Sequence, residues 1–383
     1  MWSARACPSA NRHLRVDPPG PAPQITPNAR GKCCMMINGL EGFDALGEAC
    51  WDACAAPDQS PTQSWIWAKS AAEIFGKHAP IRLLHAGDPS APTALAAFYQ
   101  ARRGYRAWHR VGGTDLGKCP DIGVQNTAAA HEMAAAILAL PGPVDLGHHP
   151  ADCPVLHAIT QARGSKPMLR RARAEQDTPW VELQNLPEDP LAALSASRRK
   201  SLRAGRRKIE AAHGPFRLRV LCPTVEALPP LLDAAFAVEA SGWKGRAGTA
   251  MAVDTSQGDF YRLFCHRAAA RGRLRLCFLD IGDQPAAMHI SVEAANALWL
   301  IKTGFDERFS AASPGVQLDM MVLGEARARG VSRVMFVGKE EPWLGSWMQG
   351  ARPLVAARLV PISLRGAQLV TVEAARALRR RFG

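Results

Sequence analysis

The side chains able to do chemistry in this 383-residue chain fall into four groups. Gly112-Gly-Thr-Asp-Leu-Gly117-Lys118 has the spacing of a phosphate-cradling loop. Such a loop must continue into Ser or Thr for magnesium and into a helix whose N-terminus holds phosphate. Cys119 and Pro120 stand there instead, and the reading fails. Asp145, His148, His149, Asp152, Cys153 and His157 offer N, S and O donors of the kind zinc accepts. They match no established ligand spacing, and Asp and His are common caps where a loop enters a helix, so no metal is expected. Arg199, Arg203, Arg206 and Arg207 gather on one side of a predicted helix over 191–212, whose other side carries Leu191, Leu194, Leu202 and Ile209. That basic face is either solvated or holds a phosphate-bearing ligand such as coenzyme A, a nucleotide sugar or RNA. With three tyrosines in the chain and no Phe among these arginines, it lacks an aromatic platform for bases. Finally, Ser313-Pro314-Gly315 places a preferred N-cap, a preferred N1 residue and a side-chain-free N2 in a row. This describes an ordinary capped helix, or a helix start whose N–H groups and dipole bind pyrophosphate.

These groups need a scaffold, and the composition supplies one. The chain is 47% hydrophobic and 21% charged, which excludes disorder, and the length suits about two domains. The net charge is +13, with ten Lys and 37 Arg; residues 163–219 hold 14 basic and 6 acidic side chains and so contribute +8 of it. The Arg excess fits a bacterial-type composition, and its concentration favours acidic or phosphate-bearing partners. No apolar run reaches a membrane span. Scattered cysteines without a signal peptide read as reduced and cytoplasmic, and Cys50 and Cys54, one helical turn apart, read as small apolar residues. Residues 1–34 are Pro-rich and aperiodic and are expected to be a disordered extension, with Met35 or Met36 as an alternative start. Beyond them, strands are predicted at 81–85, 94–99, 105–111, 144–146, 179–183, 216–221, 274–281, 286–292, 298–303, 331–337 and 354–361. A helix is predicted to start within 60–69, further helices at 127–140, 153–162, 191–212, 224–240, 259–271 and 314–329, and a basic helix at the C-terminus. Asn185-Leu-Pro-Glu-Asp-Pro190 is the best linker. The result is a mixed α/β (α+β) chain in two similar halves, 35–190 and 191–383.

An ordered series in the second half narrows the reading: Ser197-Arg-Arg-Lys-Ser-Leu-Arg, Glu239-Ala-Ser-Gly-Trp-Lys244-Gly, Phe260-Tyr-Arg-Leu-Phe, Gly272-Arg-Leu-Arg-Leu, Pro285-Ala-Ala-Met-His289, Leu298-Trp-Leu-Ile-Lys302-Thr-Gly-Phe-Asp306 and Ser313-Pro-Gly-Val. Taken in order, it resembles the FemAB-like, CelD-type branch of the GNAT-superfamily N-acyltransferases. Ser60-Pro-Thr-Gln-Ser-Trp65 resembles the opening of that family's degenerate first domain. The resemblance implies two tandem GNAT-like domains, each a mostly antiparallel sheet flanked by helices. It implies an acyl group, acetyl in the simplest case, moving from acyl-CoA to a small-molecule or glycan amine linked to polysaccharide or envelope metabolism. Acyl-CoA would be a co-substrate and not a resident cofactor, bound at Ser313, Gly315 and Val316. Acyl transfer to an amine needs a base for the nitrogen and a donor for the oxyanion. Glu239, His289 and Asp306 are the candidate bases and Lys302 the group that orients an anion. Trp243 and Lys244, with Arg199 and Arg203, would contact substrate. Two alternatives stay open: a FemAB-like transferase using aminoacyl-tRNA, and an inactive GNAT-fold binding protein. One departure stands out. The family pattern leads us to expect an Asp near 335 and a Tyr-Lys pair eight residues on, where this chain has Met335, Trp343 and Leu344.

Overall fold

Apolar runs bounded by Gly, Pro and Asp form the strands, and the Ala- and Leu-rich stretches between them form the helices. A computed structural model describes residues 37–55, 60–101, 106–118, 121–162, 168–337, 348–364 and 366–371. The elements of the first half are β1 (Ile37–Asn38), α1 (Glu41–Ala53), α2 (Trp65–Phe75), β2 (Ile81–Asp88), β3 (Ala91–Gln100), β4 (Trp108–Arg110), α3 (Thr127–Leu138), β5 (Val144–Pro150), α4 (Pro154–Gln161) and β6 (Met168–Glu182). Those of the second are α5 (Ala196–His213), β7 (Phe216–Leu221), α6 (Leu228–Ala240), α7 (Trp243–Arg246), α8 (Thr255–Ala269), β8 (Leu274–Ile281), β9 (Gln284–Ala294), β10 (Ala297–Phe305), α9 (Pro314–Ala328), β11 (Arg333–Phe336) and β12 (Gly350–Pro361).

All twelve strands join one sheet in the order β1-β2-β3-β4-β5-β12-β6-β11-β10-β9-β8-β7. The order reads the same from either end if each strand of the first half is matched to the strand six later in the second. The symmetry extends to direction: β4/β5 and β10/β11 are parallel and the other neighbours antiparallel. A parallel step needs a crossover, and α3 and α9 supply it in equivalent places. The chain is thus two tandem units of one topology, mixed α/β and mostly antiparallel. At the centre the units exchange their last strands. β6 pairs with β11 of the second unit, β12 pairs with β5 of the first, and the two pair with each other from Met168/Pro361 to Trp180/Gly350.

Sequence patterning places only 179–183 of β6 in a strand, because its Arg- and Ala-rich first part shows no apolar alternation; long-range pairing with β12 makes it one. On one face of the sheet α1, α2, α6 and α8 share a core in which Trp67 packs edge-on against Phe260 and Phe264, at 4.8 and 5.0 Å between ring centroids. Arg267 to Glu73 (2.9 Å) and Arg271 to Glu48 (2.6 Å) close the seam between units. On the other face α3 and α4 cover the first unit, and α5 and α9 the second. No described helix is long and apolar enough to cross a membrane. The segment 1–34 lies outside the described residues; of the basic C-terminal helix, residues 366–371 are described and are helical, and 372–383 lie outside the described residues.

Candidate active site

The second unit opens where β10 and β11 part. Their parallel pairing ends at Leu300/Phe336, with a last bond from Val337 N–H to Leu300 O (3.0 Å). From Lys302 to Phe305, β10 follows β9 alone among the described pairings. A β-bulge precedes the parting: Leu300 lies opposite Ser291 and Lys302 opposite Ile290, leaving Ile301 as the extra residue. That insertion reverses the alternation of side chains. Trp299 and Ile301 face the α6/α8 core, Leu298 and Leu300 the opposite one. Lys302, which strict alternation would send to the Leu300 side, instead meets Gln257 and Tyr261 of α8 and Glu239 of α6.

A cavity of about 480 Å³ lies along this last stretch of β10. Its walls come from the end of α6 and from α7 (Glu239, Gly242, Trp243, Lys244), from His289 of β9, and from Thr303, Gly304 and Phe305 of β10. Ser313 to Val316 at the start of α9, Asp319 further along that helix and Arg198 of α5 complete them.

Glu239 anchors the first wall and is 1% exposed. Its Oε1 accepts from the ammonium groups of Lys244 and Lys302, each at 3.2 Å, and its Oε2 from Met251 N–H at 2.8 Å. Lys244 also donates to Thr303 O at 2.7 Å. Burial lowers the pKa of Lys302, and neighbouring Lys244 adds to this while Glu239 opposes it. Gly304 makes the arrangement possible, because a Cβ there would stand 2.9 Å from Glu239 Cα and 3.1 Å from its Cβ. Trp243, 56% exposed, sits on the rim, and α7 is tied down by Arg246 to Glu307 at 2.8 Å.

The start of α9 differs from the sequence expectation in one respect. Ser313 takes left-handed angles (φ 50°, ψ 60°) and its hydroxyl makes no capping bond, because a capping side chain needs extended backbone at that position. Pro314 has no N–H. The N–H groups of Gly315 and Val316 therefore have neither an intrahelical partner nor a side-chain cap where they meet the cavity. A Cβ at Gly315 would touch only Phe305, at an ordinary 3.7 Å, so packing within the protein does not demand a glycine there. The equivalent helix α3 is closed: Asn126 Oδ1 accepts from Ala129 N–H at 2.8 Å.

His289 of β9 and Asp319 of α9 meet in the deep wall, each side chain 2% exposed, with Nε2 3.0 Å from Oδ1. The contact lies off the line of an ideal hydrogen bond. Neither carboxylate oxygen of Asp319 nor Nδ1 of His289 has a hydrogen-bond partner among the described residues.

Of the remaining sequence candidates, Asp306 stands apart from the cavity. It caps the 3-10 turn Glu307–Ala312, accepting from Arg308 N–H (2.9 Å) and from its guanidinium (2.8 and 2.6 Å). Burial works to raise its pKa, but those bonds and the Arg308 charge outweigh it and hold the carboxyl below the usual carboxylate range. Arg199 closes off carbonyls before α5, donating to Ala192 O (3.1 Å) and to Leu194 O. Arg203 is exposed and outside the wall. The residue of this run that reaches the cavity is Arg198, whose helix is brought close by Gly205; a Cβ there would lie 2.3 Å from Ala311 O. Of the six residues in the sequence cluster from Asp145 to His157, only His149 and Cys153 come together, joined by Asp121; their donor atoms lie within 4.8 Å of one another, all buried. Two guanidiniums attend that cluster: Arg352 lies 3.7 Å from Asp121 Oδ2, and Arg110 donates to Asp121 O at 2.9 Å. Positive charge so placed competes with a cation for the carboxylate.

Residues 196–343 match the acetyltransferase (GNAT) domain family. This stretch is a GNAT domain. It begins at the first turn of α5 and contains every wall of the cavity. By virtue of the GNAT domain the protein is an acyltransferase. The tandem fold extends over whole solved structures. FemX superposes with a TM-score of 0.52 at 10% identity, over 88% of this chain and 100% of FemX. The C-terminal domain of a candidate lysylphosphatidylglycerol synthetase from Agrobacterium fabrum gives 0.50 at 11%, over 88% and 96%. A conserved protein of unknown function from Bacteroides thetaiotaomicron gives 0.51 at 8%, over 84% and 97%. At these identities the likeness is one of fold. No curated protein matches the sequence.

Within the GNAT domain, sequence reasoning missed Arg198 and Asp319. Arg198 lies one residue from Arg199, and only the helix phase distinguishes them. Asp319 was visible as the single charge in the apolar run Val316-Gln-Leu-Asp-Met-Met-Val322. Met335 of β11, where a family Asp was expected, packs against the apolar core; Trp343 and Leu344 lie outside the described residues.

Proposed function

We propose that the GNAT domain moves an acyl group from an acyl-CoA donor, acetyl-CoA in the simplest case, to an amine acceptor in the cytoplasm. The donor pyrophosphate lies on the Gly315 and Val316 N–H groups with Arg198 beside it, and the thioester enters the gap between β10 and β11. The observation that carries this reading is the uncapped start of α9 in the wall of a cavity. Open N–H groups and the positive end of a helix dipole together favour an anion. The second half, 191–383, acts as the catalytic domain and the first, 35–190, as its structural partner. The acceptor is a small-molecule or glycan amine of the kind used in polysaccharide or envelope metabolism, met at Trp243 and Lys244. The Lys244–Glu239–Lys302 group provides fixed positive charge near the developing oxyanion. The experiment is calorimetric titration of the full chain with coenzyme A. Saturable binding is expected, and the absence of both heat and thermal stabilisation refutes the donor assignment.

A second reading, transfer from aminoacyl-tRNA, has one observation in its favour. Lys200, Arg203, Arg207 and Lys208 are exposed along α5, next to the cavity. In that case charged tRNA, and not coenzyme A, stabilises the protein, with binding that weakens steeply as salt rises.

A further inference from the structure

We propose that the acceptor is an amine carrying its own anionic group, a carboxylate or a phosphate, and that Lys244 binds that group; this deepens the acyl-CoA reading above and rests on it. The observation is a difference in exposure among the charges of the cavity wall. Among the described residues that wall holds two carboxylates, and both are withdrawn: the side chain of Glu239 is 0% exposed and that of Asp319 2%. Its two permanent cations, Arg198 and Lys244, are only half-buried. Glu307, which borders Gly242 of the wall, is held by both amino groups of Arg246, at 2.8 and 3.0 Å. An incoming molecule therefore meets positive charge, from α5 and from α7.

That charge decides which amines suit the site. An aliphatic amine is itself a cation at neutral pH, since its pKa lies near about 10. Accessible carboxylates would attract it, whereas accessible cations repel it. An anion on the same molecule reverses the sign of the encounter and gives a wall cation its partner. Arg198 and the start of α9 belong to the donor's pyrophosphate in the reading above, which leaves Lys244 to the acceptor. Its ammonium has three N–H groups. Among the described residues two are used, one by Glu239 Oε1 at 3.2 Å and one by Thr303 O at 2.7 Å, and 24% of the side chain is exposed. Lys302 also donates to Glu239 Oε1, at 3.2 Å. With both lysines charged, the trio holds one positive charge more than its carboxylate balances. The turn presenting Lys244 is fixed by close packing: a Cβ at Gly245 would overlap Ala240 O, and one at Gly242 would lie 3.1 Å from Phe305 O.

The test measures kcat/KM from release of coenzyme A thiol, with acetyl-CoA and two matched pairs of acceptors: β-alanine against propylamine, and O-phosphoethanolamine against ethanolamine. Acylation replaces one N–H of the free amine by an N–acyl bond and leaves that proton on the thiol, so one thiol marks one turnover. In at least one pair the anionic member should be preferred by about tenfold or more, the size of one hydrogen bond to a charged group. The pair that shows it separates carboxylate from phosphate. In Lys244→Met the preference should fall to within about threefold of unity, and Lys244→Arg should retain most of it. An effect of Lys244 on the chemistry itself acts on both members of a pair and cancels in the ratio. A smaller preference in both pairs of the parent overturns the assignment, as does a preference that survives Lys244→Met. So does a parent that binds coenzyme A yet acylates none of the four amines. A parent that fails to bind coenzyme A overturns the donor reading instead, and this inference with it. Thermal melting checks that Lys244→Met folds; if it does not, the matched pairs in the parent and in Lys244→Gln carry the comparison.

Discussion

Gly315→Asp separates a donor-binding helix start from an ordinary one, because the protein itself has room for the new side chain. A Cβ at that position would meet only Phe305 Cδ1, at 3.7 Å. Asp in the first turn gains about 0.3–1 kcal/mol from the dipole, and loss of glycine's freedom in the unfolded chain adds roughly 0.4–1 kcal/mol. The melting temperature should therefore hold or rise slightly. The donor fares differently. A carboxylate about 5 Å from a phosphate charge repels it by ~3 kcal/mol at an effective dielectric of about 20, and partial solvation reduces this. At about 1.4 kcal/mol per factor of ten, the dissociation constant for coenzyme A should rise about 10- to 100-fold. The penalty should shrink as salt is raised, because screening acts on the repulsion and not on lost space. Gly315→Ala provides the neutral control and should bind far closer to the parent. Calorimetry at low and high salt measures all of this. If Gly315→Asp binds coenzyme A as tightly as the parent at low salt, the start of α9 does not hold the donor's phosphates.

Four further outcomes follow from the same structure. Gly304→Ala forces a methyl against the α6 backbone at Glu239 and should cost ~1–3 kcal/mol in urea unfolding, with turnover falling more than coenzyme A affinity. Glu239→Gln leaves Lys244 and Lys302 without their countercharge and should destabilise by up to about 3–5 kcal/mol, partly recovered by adding Lys302→Met. Asp306 has a folded-state pKa below its ordinary value near about 4, so its charge supports the fold above that pH and the support fades as pH falls through the lower value. Asp306→Asn should accordingly cost stability at neutral pH and nothing in strong acid, as read by melts across pH. Fragments 35–190 and 191–383 expressed separately should each fail to give a cooperative melt and should recover one when mixed, because β6 and β12 each complete the other unit's edge of the sheet.

How much of this could be read from the sequence depends on the range of the interaction that decides it. Strands such as Leu274–Ile281, with apolar runs and turn residues on both sides, were legible because their own composition specifies them. The first part of β6 was not, since its partner lies nearly two hundred residues away in β12. The candidate site divides in the same manner. Glu239, His289, Ser313 and Gly315 reach the cavity as the ordered motifs imply. Asp306 does not, because a carboxylate two residues before an arginine satisfies itself locally, which a list of candidate bases cannot reveal. Lys302 was identifiable by type but not by direction. One extra residue at Ile301 decides which face it meets, and bulges leave little mark in a sequence. Gly112, singled out for its phosphate-loop spacing, has another reason to be glycine. It adopts φ 73°, and a Cβ there would lie 2.4 Å from the Trp67 indole nitrogen, which donates to the Gly112 carbonyl.

The symmetry of the sheet sharpens the case for chemistry in one unit only. Both units build a parallel step with a crossover helix, so each begins with the same potential anion site at the start of that helix. In the first unit Asn126 takes extended angles and its side chain fills the place an anion would occupy on α3. In the second, Ser313 is held left-handed, a conformation that costs a non-glycine residue about 1–3 kcal/mol and persists only where the surroundings impose it. The result is a helix start with no cap, next to a proline that has no N–H to satisfy and a glycine that adds no bulk. The strand preceding α9 is also the one that carries the bulge, and its end, past the last pair with β11, lines the cavity, whereas β4 spans only Trp108–Arg110. The repeated topology therefore supplies two equivalent frames, and a small number of local choices decides which frame stays open: a side-chain cap in one unit, and a strained serine, a bulge and three glycine positions at 304, 315 and 205 in the other.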